Sequence, residues 1–174
     1  MLKKTSIAAV MAVVCLAAPL TQIQAQESAT VQAIATVLPA LTVTGTNDLN
    51  FGTVTPGTPV TVDKSDAGLA GEFIIVGMPA AEVSLAFTLP DSLRTGAGDA
   101  MDIIFGAVDA SYDDGTGSQA APLAVINPQL AELGNIGAGS DMTVWIGGQV
   151  TPGLAQTGGA YTGQVVLTVT LTGN

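Results

Sequence analysis

The sequence predicts an all-β fold, an antiparallel sandwich of about eight or nine short strands. Three observations carry that expectation. Past residue 25 the apolar residues recur with a period near two almost everywhere. Gly, Pro, Asn and Asp cut this alternation into short runs, with 21 glycines and nine prolines in 174 residues. No amphipathic stretch long enough for a crossover helix lies between the runs, so neighbouring strands are expected to pair antiparallel.

The first 25 residues stand apart. Lys3 and Lys4 give a positive start, residues 7–20 form an apolar run too short to remain across a bilayer, and Thr21–Ala25 closes on a small residue. These are the three parts of a secretory signal peptide, expected to be cut after Ala25. Cys15 lies inside the apolar run behind Val13 and Val14, which argues against a lipid anchor. Residues 26–174 are then a single β-sandwich domain. It is expected to be secreted, crossing a periplasm to the cell surface or medium, with no membrane insertion after cleavage.

Strands are expected in order along this domain. In 29–37, Ala29, Val31, Ala33, Ala35 and Val37 alternate with mostly polar neighbours, while Ile34 adds a large apolar chain to the other face. Short runs follow at 41–45, 48–54, 59–63 and 72–77. In 83–89, Val83, Leu85, Phe87 and Leu89 oppose Ser84, Ala86 and Thr88. Further runs lie at 101–109, 122–126 and 141–148. The last, 161–172, places Tyr161, Gly163, Val165, Leu167, Val169 and Leu171 on a core face, with Thr168 and Thr170 turned to solvent.

The connections have their own chemistry. Between Asn47 and Val60, Phe51 is expected to plug the core and Gly52 to permit a bulge or close approach. Pro56 and Gly57 suit a type II turn. This glycine-rich stretch lacks the Gly-Lys-Ser/Thr ending and following helix of a phosphate loop. Residues 111–120 suggest an exposed loop, residues 128–133 at most one helical turn, and residues 151–160 the connection into the last strand.

Composition narrows the chemistry. The chain has no histidine, and its one cysteine leaves with the signal peptide. A Ser-His-Asp triad and thiol catalysis are therefore impossible, and zinc loses its favoured ligands. No pair of carboxylates is marked out for glycoside chemistry. The expectation is no enzyme, with no catalytic, cofactor-binding or metal residues. Lys64 and Arg94 alone face fourteen carboxylates in the exported chain, a balance that repels nucleic acid and anionic membranes.

Two local features deserve a functional test. In residues 109–120, Asp109, Ser111 and Asp113 stand where an EF-hand loop carries its first three ligands. Asp114 replaces the required glycine and Ala120 the bidentate glutamate, so such a calcium site is not expected and a chelator should scarcely move the melting point. Trp145 is either a carbohydrate-stacking platform, opposite in parity to Met142, Val144 and Ile146, or a cover on a sheet face.

The segments Asp48-Leu-Asn-Phe-Gly-Thr-Val54 and Gly158-Gly-Ala-Tyr-Thr-Gly-Gln-Val-Val-Leu-Thr-Val-Thr-Leu171 resemble a bacterial family of small secreted proteins known as a domain of unknown function. That family is marked by an Asp-Leu-x-Phe-Gly strand and a terminal Gly-x-Tyr-x-Gly strand, and is similar to spore-coat-U and fimbrial subunits. The resemblance implies an immunoglobulin-like sandwich and a secreted structural or adhesive cell-surface protein, a fimbrial (pilus) subunit among them. Its implied partners are a periplasmic chaperone, an outer-membrane usher and further subunits in a homopolymer or pilus. The chain departs from fimbrial subunits at Gly173, where these often carry an aromatic residue, and from spore-coat-U relatives in its lack of cysteines past residue 25. The alternative is a secreted carbohydrate- or ion-binding sandwich module.

Assembly also has a basis in charge. A sandwich commonly guards its edge strands with lysines, and the exported chain has only Lys64. Proline, glycine bulges, acidic residues or pairing with another chain must serve instead. Residues 26–37 are expected to complete their own sheet in the monomer and to be the end at which strand addition joins copies.

Overall fold

The structure, a computed structural model, describes residues 27–35 and 40–172. The expected signal peptide at 1–25 lies outside the described residues. Residues 27–35 belong to no strand and are exposed throughout, Val31 at 92% and Ile34 at 83%. For these residues the expected in-place strand at 29–37 is corrected: alternation alone does not make a strand without a neighbour to bond.

The rest is all-β, with no helix among the described residues. Twelve antiparallel strands replace the eight or nine expected. The first sheet runs β1 (Thr42–Asn47), β3 (Gly71–Val76), β10 (Asp141–Ile146), β7 (Ala110–Asp113), β8 (Ala124–Ile126). The second runs β2 (Val60–Val62), β11 (Gly148–Thr151), β6 (Ala100–Ile104), β5 (Ser92–Arg94), and the third β12 (Val166–Leu171), β4 (Glu82–Thr88), β9 (Glu132–Asn135).

The sheets pack in a sandwich-like arrangement over one apolar core. Phe73 of β3 meets Phe87 of β4 edge to face at 6.1 Å between ring centres, so the first and third sheets are opposed. The second sheet adds Met101, Ile103 and Val150 to the same cluster as Ile75, Leu85 and Val144. The chain passes from β10 to β11 through Gly147 alone. A side chain there would strike the Val62 carbonyl and the Lys64 backbone nitrogen, so only glycine lets one continuous segment serve two sheets.

Several expectations shift. Residues 48–54 form no strand; Gly52 takes a positive φ of 65° in open space, and Asn50 Oδ1 accepts its N–H at 2.8 Å. The turn at Pro56-Gly57 stands as expected, with Gly57 at φ 76° and Thr58 donating to the Thr55 carbonyl at 3.0 Å. Residues 111–113, expected in a loop, lie in β7, and the region expected to hold a helical turn leads into β9. The last strand begins at Val166, not Tyr161, although its faces match: Leu167 is buried, Val169 half-buried, and Thr168 and Thr170 exposed.

Candidate functional site

Two strand edges distinguish one side of the sandwich. Among the described residues β1 pairs only with β3, and β12 only with β4. Both are six residues long, and neither contains a charge or a proline. The other outermost strands, β2, β5, β8 and β9, are three or four residues long and so offer little backbone to a passing chain. A register irregularity between Gly45 and Asn47 is the one interruption along β1.

A cleft of about 700 Å³ opens on this side, between residues 45–54 and 159–165. Its first wall is held by one side chain-to-backbone bond, Asn47 Nδ2 donating to the Ala70 carbonyl at 2.6 Å, and one backbone bond, the Asn50 N–H donating to the Leu69 carbonyl at 2.8 Å. Leu49 and Phe51 then lean half-buried against the core.

Tyr161 fixes the second wall. Its hydroxyl donates to the Thr157 carbonyl at 2.7 Å and accepts from Gln156 Nε2 at 2.7 Å, while the same amide group reaches the Ala100 carbonyl at 2.9 Å. Thr162 exchanges backbone bonds with Arg94 at 2.8 and 2.9 Å. Gly163 sits so close to Leu93 that a side chain there would push its Cδ2 aside, with Pro90 in contact beside it. Met101, Ile103, Ile146 and Phe73 line the interior.

The cleft is suited to backbone pairing and apolar insertion. Asp48 is the one carboxylate among its described lining residues, and no lysine or arginine lines it. It therefore lacks the facing pair of carboxylates that glycoside hydrolysis needs. No group of three or more His, Cys, Asp or Glu that could hold a metal occurs among the described residues.

The two features singled out in the sequence lie elsewhere. Trp145 is 7% exposed, and its indole N–H donates to Glu72 Oε2 at 2.8 Å, so it covers a sheet face and offers no platform to a sugar. Asp109 lies in the bend just before β7 and Asp113 is the last residue of that strand, whose extended chain carries the two apart by roughly 10 Å or more. They cannot share one ion. Asp109 Oδ2 instead accepts the Gly106 N–H at 2.7 Å.

The walls were missed in the sequence because they are made by irregular backbone. Asn47 and Asn50, whose amides favour such turns, were the available signal. No model of a known protein family matches the chain, and no curated protein is significantly similar to it. None of the described helices, there being none, could cross a membrane.

Proposed function

We propose that this protein is a secreted structural subunit of a cell-surface assembly, joined to further copies by strand addition. The observation that carries the reading is the pair of long, uncharged strand edges, β1 and β12, beside a cleft of mixed polar and apolar lining that reaches Gly45 of β1 and Val165 just before β12. Unsatisfied edge amides and half-covered apolar chains are what an added strand supplies with partners. The sequence of residues 26–37 has a fitting alternation, and its described part, 27–35, belongs to no strand and is exposed.

Transfer of that segment from one copy to the next is head-to-tail and does not close on itself, so it builds a filament. A chaperone occupying the cleft before assembly, and an usher passing subunits outward, belong to the same reading. Catalysis has no place in it. In the alternative, a secreted carbohydrate- or ion-binding module, the carbohydrate reading loses its strongest residue because Trp145 is buried.

The test is a chain truncated to begin at residue 38, mixed with a synthetic peptide of residues 26–37. The peptide is expected to bind and raise the melting temperature, whereas a scrambled peptide of the same composition leaves it unchanged. The full exported chain is expected to form oligomers that the truncated chain cannot. A truncated chain that oligomerises equally well and ignores the peptide rejects the reading.

A further inference from the structure

Among the described residues four glycines lie inside strands: Gly45 in β1, Gly71 in β3, Gly134 in β9 and Gly148 in β11. Three of them are demanded by their surroundings. A Cβ would meet Ile146 Cγ2 at 3.0 Å from Gly71, the Met142 methyl at 2.7 Å from Gly134 and the Phe105 ring at 3.1 Å from Gly148. Gly45 is different. A Cβ there would touch only the Phe73 ring, at 3.9 Å, which is an ordinary contact.

Backbone shape does not require this glycine either. Its φ is not positive, and the register slip between Gly45 and Asn47 leaves Thr46 as the extra residue. A glycine inside a strand weakens the strand, and it often marks a place where another backbone comes close.

Gly45 stands where such an approach would matter. Its partner on β3 is Phe73, which meets Phe87 in the core, so Gly45 is on the inward side of β1 and lines the cleft. Val43, also inward, is 39% exposed. On the other flank Leu167 is buried and Val169 and Leu171 are half-buried, and the cleft lining stops at Val165, short of β12 itself. The backbone leading into β12 is already bonded to β5 through Thr162 and Arg94.

We infer that β1, of the two edges, takes the added strand, and that residues 28–35 of a second copy run beside it with Val31 across from Gly45. The inference rests on the strand-addition reading above and names its edge and register. An added strand lies about 4.8 Å from β1, where the missing side chain lets Val31 lean across Gly45 onto Phe73. Residues 28–35 carry no charge, in keeping with a cleft whose described lining has one carboxylate and no lysine or arginine. Val31 shares its face of the segment with the small Ala29, Ala33 and Ala35, so it is the one side chain on that face large enough to fill the notch.

The exported chain, residues 26–174, contains no cysteine, so single cysteines can report the pairing. Copies carrying Val31→Cys, lengthened by a tag, are mixed with copies carrying either Gly45→Cys or Val169→Cys and oxidised. A disulfide needs Cα atoms within roughly 7 Å, which separates the β1 edge from the β12 edge. The expected product is the mixed dimer of Val31→Cys with Gly45→Cys, and little from the Val169→Cys mixture. A second arm uses cysteine-free chains. Gly45→Val should melt no lower than the wild type, since it adds a strand-favouring residue where there is room, yet it should need a several-fold higher concentration to assemble. Thr44→Val, one residue away and facing outward, should assemble as the wild type does. Cross-linking to Val169→Cys instead, or to neither position while the wild type assembles, overturns the choice of β1 and leaves strand addition standing. Unimpaired assembly of Gly45→Val does the same. A wild-type chain that stays monomeric at every concentration overturns both.

Discussion

Strands β10 and β12 have equal length and the same alternation, but they sit in different company. β10 is bonded on both sides, to β3 and β7, and its Met142, Val144 and Ile146 have no exposure at all. β12 is bonded only to β4; Leu167 is buried, while Val169 and Leu171 stay half-buried. Phe73 and Phe87, which meet nearby, are half-buried as well. Alternation therefore decides which side chains face inward. Whether water reaches them is decided by the strand next door.

The sharpest way to break this contrast is truncation on each side. Ile146→Ala is expected to cost about 2–5 kcal/mol in urea unfolding, and Val169→Ala in the unassembled chain less than about half of that. Equal costs would mean that the β12 side is as closed as the other. If the cleft takes up the peptide of residues 26–37, the Val169→Ala penalty should grow in its presence, which sharpens the comparison.

Next in size is Trp145→Phe. It removes an N–H donated to the Glu72 carboxylate and should cost about 1–3 kcal/mol, with the wild-type fluorescence maximum at the short wavelength of a buried indole. A long-wavelength maximum would place Trp145 in water. Thr168→Ala, on the exposed face of β12, should stay within about 0.5 kcal/mol.

The smallest effect concerns Tyr112 on the closed side. Burial, followed by the charges of Asp114 and Glu132, pushes its phenol above the usual value of 10.0. A raised value means that the fold favours the neutral ring. The associated stability is complete below pH 10.0 and fades as alkali ionises the ring, so Tyr112→Phe should flatten the alkaline limb of the stability curve.

Much of the fold was legible in the sequence, and the reasons differ by region. The period of two located β3, β4, β10 and β12, where each strand has an apolar face to hide, and also β1, although its only large apolar residue, Val43, stays exposed. It failed at β5, β7 and β9, because Ser-Leu-Arg, Ala-Ser-Tyr-Asp and Glu-Leu-Gly-Asn are polar and gain strand geometry from their neighbours. Asp113 illustrates the loss most clearly. Its composition suggested a solvated loop, yet it is 3% exposed and its Oδ1 accepts the N–H groups of Gly115 and Gly117 from the following turn. The cleft was invisible for the opposite reason, since its walls at Asn47–Val54 and Gly159–Val165 are almost free of regular structure.

The single-residue passage at Gly147 has a consequence for how the molecule opens. Because β10 and β11 are one unbroken segment with a sheet at each end, neither sheet can melt along it without pulling on the other. The amide hydrogens of Thr143–Val150 should then exchange with solvent deuterium only through global unfolding, as one cooperative unit. Those of β1 and β12 can be released by fraying of a single edge, far below that threshold. A protein divided in this way can rearrange one flank repeatedly while the Gly147 seam keeps the remainder from coming apart.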